Sequence, residues 1–329
     1  MSSSGDHHEP SGLINDDDRR FVCSLLTGAS SEAPLHVMGP RRPGYAAREG
    51  LVYHHCSAPL PRAALVRVGH DMYVASPELV FIQMARQCSY GALLALGFEL
   101  CGCYPLDRSA RNATEAPSAP GVPGVPGMPG VLGVPGAAVV RHPLSSPGRL
   151  LAFAAQARGI HGVKKAREVA RRVLAKSASP RESEMAILVS APRYRGGFGI
   201  TDVALNEKIT FGASVEKVAR RSDVVADLSF RGGELVLEYD GLDAHTTRDA
   251  LVSDSRRRDA MAARGATVRT VTGSQFDSIF EFQQLIRQAF AEVGKRVSPL
   301  SPQELQAHMA LRTELRHAHR RLSIGMSRT

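Results

Sequence analysis

Two short apolar runs, bounded by acidic residues and separated by a glycine pair, mark one central stretch of the chain. It runs Asp223-Val-Val-Ala-Asp227-Leu-Ser-Phe230, breaks at Gly232-Gly233, and returns as Glu234-Leu-Val-Leu-Glu238-Tyr-Asp240-Gly241. Two apolar, partly β-branched runs flanking Gly-Gly predict a β-hairpin, because glycine accepts the positive φ of a tight turn. With Gly232 and Gly233 as the turn, Arg231 stands opposite Glu234 and Asp227 opposite Glu238. On the second strand Leu235, Leu237 and Tyr239 share one face, and Glu238 and Asp240 the other. The pleat therefore gathers Asp227, Glu238 and Asp240 onto one patch of sheet.

Helical periodicity frames this hairpin. A run from about 247 to 264, carrying Asp254 and Arg257, ends at Gly265 as its C′ residue, and a strand over Ala266–Val271 carries Arg269. Residues Asp277–Val293 form an amphipathic pattern suited to covering a sheet, and Ser301-Pro302-Gln303-Glu304 is a capping box opening a basic helix to Leu322. Upstream, Ser179-Pro180-Arg181-Glu182 is another capping box, with Met185, Leu188 and Val189 facing the core and Glu184 close behind. Gly196-Gly197 marks a turn, and the segment through Phe211, with Asn206, supplies a loop and strand. Nearer the N-terminus, Leu35–Met38, Gly50–Cys56, Ala64–Val68 and Met72–Ala75 read as short strands. Ser76-Pro77-Glu78 opens a helix through Gln87, with Ser as N-cap and Pro at N1, and Ala92–Cys101 is an apolar helix.

The chemistry follows from the carboxylates. Three acids held close repel unless a proton or a cation lies among them, and hard oxygen ligands suit Mg²⁺. Glu182 has a purely structural reading too, since a residue at N3 of a capping box stabilises its helix whatever else it does.

Composition changes the picture in three ways. The 329-residue chain carries a formal charge of +9, which favours an anionic partner such as nucleic acid, while the absence of Trp argues against stacking platforms for single strands. Nine Lys or Arg against one acid, Glu168, fall in 141–178. There Val163, Ala166, Ala170, Val173 and Leu174 recur at helical spacing, with Lys164, Lys165, Arg167, Arg171, Arg172 and Lys176 largely on the other side. That face is either simply solvated or set to contact phosphates. Five cysteines without disulfide spacing point to a reducing cytoplasm, and no apolar stretch reaches membrane-spanning length. Cys101-Gly-Cys103, with Cys88 and His54-His55-Cys56, lacks the paired Cys-x-x-Cys of a zinc site and reads as ordinary buried thiols. The run Pro120–Gly136 has glycine at every third position, but six triplets alone cannot sustain a collagen triple helix, so it reads as a linker.

The order Asp227, hairpin, Glu238-x-Asp240-Gly241, His245, Asp254-x-x-Arg257, Gly265 and a strand with Arg269, preceded by Ser179-Pro-x-Glu182, resembles the very-short-patch-repair-like branch of the PD-(D/E)XK nucleases over roughly 179–290. The resemblance implies a restriction-endonuclease-like α/β domain and Mg²⁺- or Mn²⁺-dependent phosphodiester hydrolysis. Asp227 and Glu238 would hold the metal, Glu182 (or Glu184, if the register differs) would be its outer acid, and Glu182 and Asp240 would complete or water-bridge the shell. His245 would orient water or contact phosphate, and Arg257 and Arg269 would hold the substrate backbone or brace the acids. Asp240 stands where the wider superfamily has lysine, as is common in this branch, which leaves open the group that handles the attacking water. Residues 35–105, with Tyr73-Val-Ala-Ser-Pro-Glu78, resemble the linker region of AbiEi-type antitoxin-like proteins; only one helix, Asp16–Gly28, remains for the winged helix that often begins them.

The expected organisation is a tail over 1–15, an AbiEi-like α/β domain over 16–106, a linker over 107–140 and a basic helical segment over 141–178. A nuclease-like domain of mixed central sheet flanked by helices follows over 179–297, then a basic C-terminal helix over 298–329. The expected partner is nucleic acid, DNA ahead of RNA, with a protein partner as a second class, in a toxin–antitoxin or defence setting. The rival expectation is a non-catalytic, nucleic-acid-binding or antitoxin-like regulator that keeps the fold as scaffold, since fold does not fix function.

Overall fold

The computed structural model describes residues 34–39, 50–69, 72–104, 141–213, 215–216, 222–240 and 257–324. The expected tail over 1–15, the linker over 107–140, Gly241, His245 and Asp254 lie outside the described residues.

The expected hairpin is present, with its register as read from the sequence. Strand β5 is Val203–Thr210, β6 is Asp223–Phe230, β7 is Leu235–Asp240 and β8 is Thr267–Thr272, preceded by β1 (Leu35–Gly39), β2 (Leu51–His55), β3 (Leu65–Arg67) and β4 (Tyr73–Ala75). Phe230 pairs with Leu235, so the loop is the four residues Arg231 to Glu234 rather than two. Both Gly233 and Glu234 donate their N–H to the Phe230 carbonyl, at 3.1 and 3.0 Å. Arg231, Gly232 and Gly233 all take positive φ, which is why two glycines are needed there. The sheet order is β5-β6-β7-β8, antiparallel except for the parallel β7–β8 pair, so β6 and β7 are its central strands.

Helices cover both faces. They are α1 (Pro77–Met84), α2 (Tyr90–Cys101), α3 (Pro147–Gln156), α4 (Val163–Ala170), α5 (Pro180–Ser190), the helical residues 257–263 as α6, α7 (Gly273–Asp277), α8 (Ile279–Glu292) and α9 (Pro302–Ile324). Leu228, Phe230, Leu235 and Leu237 pack against α5 and α8 in a core that continues unbroken into α1, α2, α4 and α9. On the opposite face a smaller core joins Ile209, Val224, Ala226 and Val236 to Met261 of α6. The chain is thus an α/β protein with its helices layered on a mixed sheet.

The caps explain where the helices start. Ser76, Ser89, Ser146 and Ser179 each accept an N–H from the residue three further on, which removes an orphan donor from the first turn. Ser301 and Glu304 exchange both bonds of the expected capping box, at 3.3 and 2.8 Å. The Ser179 box is only half formed: Ser179 Oγ accepts from Glu182 N–H, but the Glu182 carboxylate reaches past Ser179 to the N–H of Ala178. Helix α6 ends in a Schellman motif, with Ala266 N–H on the Met261 carbonyl and Gly265 N–H on that of Ala262. The single helix expected over Asp277–Val293 is α8 alone, because Ser278 breaks the run and caps it.

Candidate functional site

The site begins where the sheet departs from regular alternation. The β5–β6 ladder pairs Leu205 with Leu228 and Glu207 with Ala226, but Asn206, which falls opposite Asp227, has φ of 46° and makes no ladder pair. Asn is one of the few side chains that accepts this region. The kink turns the strand pair over. Val224 and Ala226 belong to the smaller core, whereas Leu228 and Phe230, with the same parity, belong to the larger one. The hydrogen bond between Ser229 Oγ and the Glu207 carboxylate requires the same change of face.

At that kink the β6–β7 ladder also ends, its last pair being Leu228–Leu237. The register continued one step sets Asp227 against Glu238. There the Asp227 carboxylate takes over from the backbone, accepting the N–H of Tyr239 at 2.9 Å. Burial raises the Asp227 pKa, while the Tyr239 N–H and the charge of Arg257 pull it down.

Glu182 approaches from the first turn of α5. Its Oε2 accepts from Ala178 N–H at 2.9 Å and from Asn206 Nδ2 at 2.7 Å, so the residue that kinks β5 also fixes this acid. Burial raises the Glu182 pKa, against these two bonds, and the neighbouring Asp227 charge raises it further. Asn206 Nδ2 also donates to the Lys176 carbonyl at 2.8 Å, tying the end of the basic segment to the site.

Glu238 is bound by Arg257. Arg257 Nη2 lies 2.5 Å from both carboxylate oxygens and 2.8 Å from the Val225 carbonyl, with the two side chains 27% and 17% exposed. Asp240, two residues on, is exposed at the end of β7, where it pairs in register with Thr272. The structure thus places Glu182 and Arg257 each within electrostatic reach of Asp227, with Glu238 bonded to Arg257 and Asp240 exposed beyond them.

Arg269 is placed elsewhere. It pairs in register with Leu237, on the face opposite Glu238, and forms an ion pair with Glu292 of α8. The basic segment is divided as well. Lys164, Arg171 and Arg172 are exposed, but Lys165 Nζ donates to the Cys88 carbonyl at 2.8 Å. Arg167 donates to the carbonyls of Ala154, Ala155 and Ala157 at the end of α3. Arg167 thus caps the end of α3 and Lys165 ties down the turn after α1, rather than facing a ligand. Sequence reasoning missed Asn206 as a site residue, and the only signal for it is an Asn inside a strand pattern.

Asp227, Glu238 and Glu182 offer the hard oxygen donors that Mg²⁺ takes, and two of them are acids whose pKa is raised in burial, a cost that a cation would relieve. Among the described residues no group of three or more His, Cys, Asp or Glu side chains is arranged to hold a metal ion, and Cys56, Cys88, Cys101 and Cys103 are free thiols. The Cys101 thiol is pushed up to about 12 by burial, as expected of an inert core cysteine. No described helix is long and apolar enough to cross a membrane. Compared with known proteins, the chain matches no family model, no curated protein and no solved structure.

Proposed function

We propose that the chain is a metal-dependent nuclease of restriction-endonuclease-like fold that hydrolyses phosphodiester bonds, with DNA ahead of RNA as substrate. The observation that carries this reading is the placement of Asp227 at the kink in the central strands, within electrostatic reach of Glu182 of α5 and of the Arg257 that is bonded to Glu238 of β7. Asp227 and Glu238 would hold Mg²⁺ or Mn²⁺, with Glu182 and Asp240 bracing the shell directly or through water. Such an ion, when bound, polarises a phosphate and lowers the pKa of attacking water. Glu182, oriented through Oε2 and raised in pKa, is suited to accept a proton from that water. Arg257 is suited to a phosphate oxygen, as guanidinium groups are. Lys164, Arg171 and Arg172 would add sequence-independent phosphate contacts.

The test is a cleavage assay on plasmid and single-stranded substrates with and without Mg²⁺ or Mn²⁺. Cleavage that needs the metal and stops on its chelation is the expected result. A second reading, a regulator that keeps the scaffold without catalysis, is favoured by one observation: Arg257 already neutralises Glu238. A chain that cuts neither substrate and gains no thermal stability from Mn²⁺ would leave that reading in place.

A further inference from the structure

Arg257 occupies the position on Glu238 that a cation would need. A single nitrogen, Nη2, meets both carboxylate oxygens at 2.5 Å and is held from behind by the Val225 carbonyl at 2.8 Å. The pair is largely shielded from water, so its mutual attraction is only partly screened. A guanidinium and a divalent ion seek the same lone pairs on Glu238 and repel each other, so both cannot be seated there at once. The same guanidinium also lowers the pKa of Asp227, so its charge reaches both proposed metal ligands.

We infer that Arg257 is a built-in competitor of the metal: the cation must displace its guanidinium from Glu238, and the freed guanidinium then becomes a ligand for substrate phosphate. The inference rests on reading the acids as a metal centre. It has a thermodynamic consequence, because displacement by one ligand that prepares the site for another makes their binding mutually favourable. Metal should strengthen nucleic-acid binding through Arg257, and nucleic acid should strengthen metal binding to the same degree. Until metal arrives, Arg257 keeps the partly buried carboxylate paired.

The experiment titrates Mn²⁺ calorimetrically into the full chain without nucleic acid, for wild type, Arg257→Gln, Arg257→Lys and the double variant Arg257→Gln/Glu238→Gln. Arg257→Gln should bind Mn²⁺ about tenfold more tightly or better, the gain expected when a charge-assisted bond need not first be broken. Arg257→Lys should fall between, since a lysine point charge pairs less specifically than the guanidinium and is displaced more readily. The gain should vanish in the double variant. In parallel, Mn²⁺ should tighten binding of a short fluorescent duplex to wild type more than to Arg257→Gln, which keeps only the direct contact between metal and phosphate. If Arg257→Gln does not fold, the ranking of Arg257→Lys against wild type decides alone. Wild type that binds Mn²⁺ as tightly as the Arg257 variants overturns the competition and leaves the metal centre standing. Failure of every form to bind Mn²⁺ overturns both.

Discussion

At Asp227 the backbone and the chemistry cannot be separated. The carboxylate stands in for a ladder acceptor to Tyr239 N–H, and this fixes its orientation at the point where β6 parts from β7. Its placement opposite Glu238 was legible, because hairpin register follows from the turn and the pleat. The overturned face of β6 was not. Val224, Ala226, Leu228 and Phe230 alternate without interruption, and nothing in that pattern reveals that they enter two cores. That Arg257 braces the acids was among the sequence expectations, but which acid it meets, here Glu238 across 19 residues, depends on how α6 docks. Glu238→Gln probes this level. It removes the charge a divalent ion needs and also takes from Arg257, which is 27% exposed, the carboxylate it is bonded to. Hydrolysis should be lost, nucleic-acid binding without metal should persist, and Mn²⁺ should no longer raise the melting temperature. The folded state should lose about 1–3 kcal/mol in denaturant unfolding, the cost of orphaning one partner of a charged hydrogen bond. Retained metal-dependent cleavage in this variant would remove Glu238 from the chemistry.

The elements were mostly visible, because serine caps and apolar periodicity are local signals. What local signals cannot give is the destination of a long side chain. In the basic segment Lys164 and Lys165 are adjacent and alike in sequence, yet one is exposed and the other terminates the turn after α1 through the Cys88 carbonyl. The two should therefore behave differently on substitution. Replacing Lys164, Arg171 and Arg172 together by alanine should weaken nucleic-acid binding across sequences. It should also flatten the salt dependence by roughly 0.9 in log–log slope for each phosphate no longer neutralised. Lys165→Ala should leave that slope alone and instead cost about 1 kcal/mol of stability in denaturant unfolding. Unchanged affinity and slope in the triple variant would mark those three cations as a solvated face. An equal drop of slope in Lys165→Ala would mean its bond to the Cys88 carbonyl is not its main role.

At the scale of the whole molecule, the sequence suggested separate units joined in series, whereas the helices on either side of residue 178 share one core. The C-terminal helix α9 is part of that union. Leu311 and Leu315 are buried, and Glu314 accepts the N–H of Gly91 at the start of α2, 223 residues away. A basic helix whose periodicity could suit solvent, partner or core declares itself only through such distant partners. Its docking is polar at the centre. His308 is fully buried, its Nδ1 is 2.6 Å from the Gly196 carbonyl, and its Nε2 accepts from Arg312 Nε at 2.9 Å. Arg312 is itself buried against the Phe276 and Phe282 rings and donates to the Phe276 carbonyl. The imidazole must then be neutral with its proton on Nδ1, and burial, aided by the Arg312 charge, pushes its pKa down to about 4 from 6.5. A depressed folded pKa means that the unfolded chain binds the proton first. The His308 contribution is therefore complete above pH 6.5 and is lost as pH falls from there towards 4. The most this window can carry is roughly 3 kcal/mol, from the free energy of a pKa displacement of that size. Glu304, held down to about 2 by Arg193, loses its contribution in the same sense but only below pH 4.5. Burial of Glu182 and Asp227, whose pKa values are raised, acts in the opposite sense, so the wild-type curve alone would mix these effects. Comparison with His308→Gln separates them, since the amide can still donate and accept but does not titrate. Unfolding free energies between pH 4 and 7 should converge as pH falls, with the variant less stable at pH 7 and losing less on acidification. Parallel curves for the two proteins would show that His308 is not held neutral and that α9 docks without it.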